Sequence, residues 1–308
     1  PSEETKYIYD FTNNIPELYN LKNDWSEKEN LAKDVDISTF HNKLEEKMAA
    51  FKRRRVIAPF SRRINKDIDV SIIIVNLNTS GYLEACLHSI YDNLEELNYE
   101  VIIIDNNSID DSAGMVENNF QEVTLIKNYS NVGFAIAGNQ GITASSGKYI
   151  LMLDPDVIIT PDAVTVMMQY LSNNSKYGAV GSILLDMDRT VHEQYNKLLT
   201  PANVFYCYTK IGRIIDKLFL SSRIYKHYHD TNLNHSKSVE VEQIGMCFIL
   251  LPKFILINIK LLDDKLSGYF ISLDLCQRIL DAGYQICVLT DAKIIHNGRC
   301  LFKQIDSH

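Results

Sequence analysis

Acidic and amide residues recur at one kind of place in this chain. Asp154 and Asp156 follow the apolar run YILML (149–153), with only Pro155 between them. Asn76 and Asn78 follow VSIIIV (70–75). Asp105, Asn106 and Asn107 follow EVIII, and Asn128 and Asn131 follow VTLIK (123–127). Any one of these suits a turn for local reasons. Four sets, each directly after a strand-like run, point to a shared polar cleft. Two carboxylates two residues apart supply hard oxygen ligands for Mg²⁺ or Mn²⁺, and such a cation can hold a diphosphate.

Other anion-binding devices are missing. A dinucleotide fold needs GxGxxG after the first strand, and NLNTSG stands there instead. GITASSGKY lacks the spacing of a phosphate-binding loop, and no Ser or Thr follows Lys148. An anionic ligand in an acidic cleft therefore needs a bridging cation.

The elements that must position these residues alternate. VSIIIV, EVIIID, VTLIK and YILML are short and rich in β-branched residues, as buried parallel strands are. GYLEACLHSIY carries Leu83, Cys86, Leu87 and Ile90 at helical spacing, with Thr79 or Ser80 as its cap. A helix is expected after NNSIDDS, and another opened by Thr160, Pro161 and Asp162, with Pro at the first position. VEQIGMCFILL reads as a strand returning to the sheet. SLDLCQRILDAG reads as a helix capped by Ser272 and stopped by Gly283. YQICVL and AKII read as short closing strands, with His296 directly after. This is an α/β pattern with a mostly parallel sheet covered on both faces, and ligands bind at the C-terminal strand ends of such sheets.

The bulk numbers agree. The chain has 308 residues, 46% hydrophobic and 23% charged, with a formal net charge of −8. That balance speaks against nucleic acid as a partner. The six cysteines form no CxxC pair and read as reduced core residues of a cytoplasmic protein. Neither a signal peptide nor a membrane-spanning run is expected. Residues 1–68 differ in texture and read as a helical N-terminal extension. Their helical stretch at 40–67 carries Arg53, Arg54, Arg55, Arg62 and Arg63, which suit a solvated arm or an anionic membrane surface. The aromatic and basic stretch 203–228 reads as a segment for an acceptor or a membrane, or as helices packed on the domain.

VSIIIVNLNTSGYLEACLHSI, EVIIIDNNSIDDS and NVGFAIAGNQGITASSGKYILMLDPD resemble the family-2 glycosyltransferases of the GT-A fold, and within them the branch with bacterial rhamnosyltransferases. The likeness continues more loosely through VEQIGMCFILLPK and SLDLCQRILDAGYQICVLTDAKIIHNG. It implies a GT-A domain over 69–300, with a nucleotide-sugar half (69–160), an acceptor half (161–300) and a tail at 301–308. It implies metal-dependent, inverting transfer of a sugar from a dTDP- or UDP-sugar to a glycan or lipid-linked acceptor at the inner face of a bacterial membrane. It sets no oligomeric state.

The resemblance also implies roles. Asp105 would meet the pyrimidine base, with Asn76, Asn78 and Asn107 around it. Asn131, Gly133, Phe134 and Asn139 would border ribose and diphosphate. Asp154 and Asp156 would form the metal motif, and His296 would join them, which favours Mn²⁺ over Mg²⁺. One part of the pattern departs. Where the family has two acids before a third, this chain has Ile271 and Ser272 before Asp274. The base that activates the acceptor is then Asp274, in the first turn of its helix, or Asp263 or Asp264. The alternative is an inactive relative that binds a nucleotide-sugar or glycan, or supports a partner.

Overall fold

The computed structural model of the chain describes residues 67–186, 190–192, 195–196 and 238–296, the backbone of two strands nearer the N-terminus, and single positions at 32, 38 and 42. The chain divides into two units, 1–65 and 66–308. In the first, β1 (Thr5–Asp10) pairs antiparallel with β2 (Ile15–Asn20). Strands therefore stand where the extension was expected to be helical, as the Tyr and Ile of TKYIYD and IPELYN favour. The segment 40–67, with its arginines, lies almost wholly outside the described residues, as does 203–228.

The second unit opens with β3 (Val70–Asn76), α1 (Ser80–Asn93), β4 (Tyr99–Asp105), α2 (Ser112–Asn119), β5 (Thr124–Lys127) and α3 (Phe134–Ala144). It continues with β6 (Tyr149–Leu153), β7 (Val157–Ile159), α4 (Ala163–Asn173), β8 (Tyr177–Leu185), β9 (Val191–His192) and β10 (Tyr195–Asn196). The rest is β11 (Val239–Val241), β12 (Gln243–Ile244), β13 (Phe248–Pro252), α5 (Lys253–Asn258), α6 (Tyr269–Asp281) and β14 (Gln285–His296).

The main sheet runs β11-β14-β8-β13-β6-β3-β4-β5. β5, β4, β3 and β6 are mutually parallel, so their C-terminal ends share one edge. β13 is antiparallel to β6 and β8, so it begins at that same edge. β14 runs parallel to β8, and the short β7 pairs antiparallel with its last residues. Both faces are covered, which explains the unbroken apolar strands. Ile72 and Ile74 face Leu83, Leu87 and Ile90 of α1 with Val164 and Met167 of α4. Ile73, Ile102 and Ile104 face α3, α5 and α6. α3 lies tight on that face. A Cβ on Gly141 would come within 2.5 Å of the Ile73 side chain, so only glycine fits there.

Three local expectations are corrected. Pro161 is not the first residue of α4; it sits in a turn before Asp162, whose left-handed φ of 64° starts the helix at Ala163. α6 begins at Tyr269, so Ser272 lies inside it and bonds back to the Tyr269 carbonyl instead of capping it. Asp274 accordingly lies beyond the first turn. The two expected closing strands are one, β14, with a register shift between Leu289 and Lys293. Gly283 does end α6. At a φ of 86° it lets its N–H reach the Leu280 carbonyl and the Tyr284 N–H reach that of Ile279. No helix among the described residues is long and apolar enough to cross a membrane.

Candidate functional site

The parallel pairing sets Asn76, at the end of β3, opposite Asp105, at the end of β4. The Asn76 amide donates to Asp105 Oδ1 (2.9 Å) and to Ser108 Oγ (3.0 Å), and accepts from Thr79 Oγ1 (2.6 Å). The Ser108 N–H closes on Asp105 Oδ2 at 3.0 Å, and Ser108 Oγ also accepts the Asn78 N–H at 2.9 Å. Asn78 Oδ1 in turn accepts the Ile109 N–H. Asn78 and Asn107 have φ of 53° and 70°, a region that Asn tolerates better than most residues, and Asn107 is exposed. Ser108 is the joint of this network. It was not singled out from sequence, although DNNS carries it at a fixed offset from Asp105.

A second layer centres on Asn106, which is buried. Its amide donates to Asn131 Oδ1 (2.8 Å) and accepts from Asn128 Nδ2 and the Val132 N–H. Asn131 Oδ1 also takes the Gly133 N–H at 3.0 Å. Gly133 precedes α3 at a φ of 85°, and a Cβ there would meet nothing within 4 Å, so its backbone is open to an approaching ligand. Phe134 begins the helix and is half-buried. Asn139 does something else. Both ends of its amide are bonded to the Leu262 backbone, at 2.9 and 3.0 Å, which ties α3 to the loop bearing Asp263 and Asp264.

Strand register builds the acidic cluster. Phe248 pairs with Leu153, so Cys247 comes beside Asp154, whose N–H donates to the Cys247 carbonyl at 2.9 Å. His296 pairs with Val157, which brings it beside Asp156. His296 Nε2 lies 3.3 Å from Asp156 Oδ1, within ion-pair range but not aligned as a hydrogen bond. Asp156 is only 3% exposed, and both of its oxygens, with His296 Nε2, are buried without a hydrogen-bond partner. Buried polar groups are nearly always paired, and a buried carboxylate is the costliest exception. Ligand atoms of Asp154, Cys247 and His296 lie within 4.8 Å of one another. Oxygen, nitrogen and sulfur donors gathered around an orphaned carboxylate fit a divalent cation.

The charges inside the cluster respond to one another. Burial, and then the charge of Asp156, push the Asp154 carboxyl up to about 6, while His296 pulls the other way. Burial lowers His296, but Asp156 and then Asp154 outweigh it and leave the imidazole raised above its ordinary value. Burial and the two carboxylates raise the Cys247 thiol well above its own. Cys247 is the residue that sequence reasoning missed here, because it reads as one more buried apolar position.

The α6 side is built differently. Ile271 and Ser272 are buried, and Ser272 Oγ accepts from Gln243 Nε2 while the Tyr269 hydroxyl donates to Gln243 Oε1. A neutral network fills the place where acids were expected. Asp274 Oδ2 accepts twice from Arg278, at 2.9 Å from Nε and 2.5 Å from Nη2. Arg278 Nη1 also caps the carbonyls of Ile259 and Leu261. It braces a turn in which Lys260 and Leu261 have positive φ. Asp263 and Asp264 are exposed, with Asp263 Oδ1 accepting the Lys265 N–H. The structure thus joins Asp154, Asp156 and His296, joins Asn76, Asn78 and Asp105, and ties Asp274 to Arg278.

The sequence profile of glycosyl transferase family 2 matches residues 71–248. The chain is 31% identical over 118 residues to an uncharacterized glycosyltransferase of Haemophilus influenzae, covering 37% of this chain and 36% of that one. It is 24% identical over 200 residues to glycosyltransferase GlyG of Streptococcus pneumoniae, covering 63% of this chain and 58% of that one. The chain therefore spans about a third to somewhat over half of the length of these curated relatives. Among solved structures, mannosyltransferase PcManGT of Pyrobaculum calidifontis, in complex with GDP-Man and Mn²⁺, aligns with a TM-score of 0.53 at 14% identity, over 87% of this chain and 70% of that one. That likeness shows the fold, which is GT-A.

Proposed function

Because this chain belongs to glycosyl transferase family 2, we propose that it transfers a sugar from a nucleotide-diphospho-sugar to a glycan or lipid-linked saccharide, with a cation held by Asp154, Asp156 and His296. The observation that carries the reading is the Asp156 carboxylate, buried without a hydrogen-bond partner and facing His296. A divalent cation, when bound, offsets the charge that gathers on a leaving diphosphate. An imidazole among the ligands favours Mn²⁺ over Mg²⁺, and the mannosyltransferase neighbour was solved with Mn²⁺.

The chain's own residues divide the remaining work. Asp105, held by Asn76 and Ser108, keeps unused lone pairs for a pyrimidine base. Asn78 and Asn107 flank it. Asn131 and Phe134 border the ribose, and the exposed Gly133 backbone receives the diphosphate. Asn139 acts at one remove, by fixing the Leu262 loop. Transfer is an inverting single displacement, so a carboxylate must take the proton of the acceptor hydroxyl. Asp263 or Asp264 supplies it, because Asp274 is committed to Arg278. The donor is dTDP-rhamnose, with a UDP-sugar as the alternative. This rests on the likeness of NVGFAIAGNQGITASSGKYILMLDPD to the rhamnosyltransferase branch. The acceptor is a growing bacterial surface glycan, met by a peripheral contact at the membrane.

The test is release of nucleotide diphosphate from dTDP-rhamnose and from a panel of UDP-sugars, with Mn²⁺, by the chain and by Asp156→Ala. The expected result is metal-dependent turnover that falls about 10³-fold in the variant. Tight binding of a pyrimidine nucleoside diphosphate with no turnover of any donor would instead favour a binding relative.

A further inference from the structure

We infer that Cys247 is a fourth ligand of the cation site of Asp154, Asp156 and His296, and that its sulfur tunes the site toward thiophilic divalent ions such as Co²⁺, Zn²⁺ and Cd²⁺. The inference rests on the cation reading above and deepens it. Its first support is the register. β13 runs antiparallel to its neighbours on both sides, β6 and β8. Its leading residue therefore arrives at the edge where the parallel strands end. Cys247 sits one position before β13, beside Asp154, and the hydrogen bond from the Asp154 N–H to its carbonyl locks that alignment.

The second support is distance. The Cys247 sulfur and the ligand atoms of Asp154 and His296 lie within 4.8 Å of one another. A tetrahedral cation bound at about 2.0–2.3 Å from each ligand holds its ligands roughly 3.3–3.8 Å apart, about 1 Å closer than the widest separation here. One ion can reach all of them with small side-chain adjustments. The third support is access. Cys247, 7% exposed, lines a small surface cleft with Gly181, Ser182, Ile244, Gly245 and Phe248. Cys86, the other thiol near the cluster, is fully buried in α1, and its sulfur is directed at the Asp154 backbone carbonyl, 3.9 Å away.

The chemistry balances without a further reactant. The S–H bond breaks, its proton goes to solvent, and a sulfur–metal bond forms. A site of carboxylates alone would favour hard ions. Imidazole and thiolate together shift the preference toward softer ones.

The experiment adds Co²⁺ to the full chain and follows its absorption, alongside calorimetric titrations with Mn²⁺ and Cd²⁺. The wild type is expected to show visible d–d bands together with a near-ultraviolet sulfur-to-cobalt charge-transfer band. Cys247→Ser should keep the d–d bands and lose the charge-transfer band, whereas Cys86→Ser should keep both. Cd²⁺ affinity should fall about tenfold or more in Cys247→Ser, with Mn²⁺ affinity changing far less. Bound Co²⁺ without a charge-transfer band in the wild type would overturn the inference with no need of a variant, and so would a band that survives in Cys247→Ser. Failure of Co²⁺, Mn²⁺ and Cd²⁺ to bind at all would overturn the cation reading, and this inference with it.

Discussion

The ends of β3, β4 and β6 and the start of α6 treat charge in opposite ways. At the strand ends, carboxylates are held with capacity to spare. Asp105 keeps lone pairs, and Asp156 has no hydrogen-bond partner. At α6 nothing is spare. Ile271 is apolar, Ser272 is bonded within a neutral network, and Asp274 is tied to an arginine that also caps two carbonyls. A buried carboxylate with only His296 in ion-pair range and no hydrogen bond costs stability, and the proposed cation would offset that cost. A charge that is paired and braced marks architecture.

The two regions should differ most in what their carboxylates do for the acceptor. Replacing Asp263 and Asp264 together by Asn should lower kcat by about 10²–10⁴-fold, measured as saccharide product at saturating donor. Asp274→Asn should lower it by less than about tenfold. If Asp274→Asn abolishes turnover while the pair is dispensable, α6 carries chemistry after all and the contrast fails.

A smaller effect sharpens the architectural side. Arg278→Ala leaves the Ile259 and Leu261 carbonyls uncapped and Asp274 unpaired in a half-buried setting. It should cost about 2–4 kcal/mol in urea unfolding. A loss below about 0.5 kcal/mol would mean that the brace is ornamental.

The smallest predicted effect is on pH. Asp154, pushed up to about 6, and His296, also raised, both hold protons more firmly in the fold than in the unfolded chain. The folded state then binds more protons, so metal-free stability falls as pH rises from about 4 through 6 and beyond the ordinary histidine range. A cation needs Asp154 ionised. The Mn²⁺-induced rise in Tm should therefore be largest above pH 7 and shrink below 6. A shift that is constant from pH 5 to pH 8 would remove Asp154 from the ligand set.

Much of this was legible in the chain itself. VSIIIV, EVIIID and YILML could be read as strands because burial on both faces leaves them no polar alternation, and the Asn and Asp residues after them stand out against that background. Asp154 and Asp156 are neighbours in sequence, so their pairing needs no tertiary knowledge. The start of α6 was not legible, because Ser272 is a good cap by type and nothing local shows that Gly268, at a φ of 55°, begins the helix earlier. Cys247 was not legible either. Its place beside Asp154 depends on β13 entering the sheet antiparallel, which is a property of strand order and not of any short pattern. The likeness put His296 at the metal motif, but its contact with Asp156 needs the pairing of β7 with β14.

In the proposed site, Asp156 is a buried carboxylate without a hydrogen bond that a cation would complete. Thermal unfolding of the wild type and of Asp156→Asn at pH 7.5, with and without Mn²⁺, tests this reading most directly. Asp156→Asn, which removes a buried carboxylate, is expected to melt no lower than the wild type without metal and not to respond to Mn²⁺. The wild type should gain several degrees with Mn²⁺, since a ligand that binds only the native state raises its stability. A variant that melts well below the wild type without metal, or that gains as much from Mn²⁺, would contradict the reading.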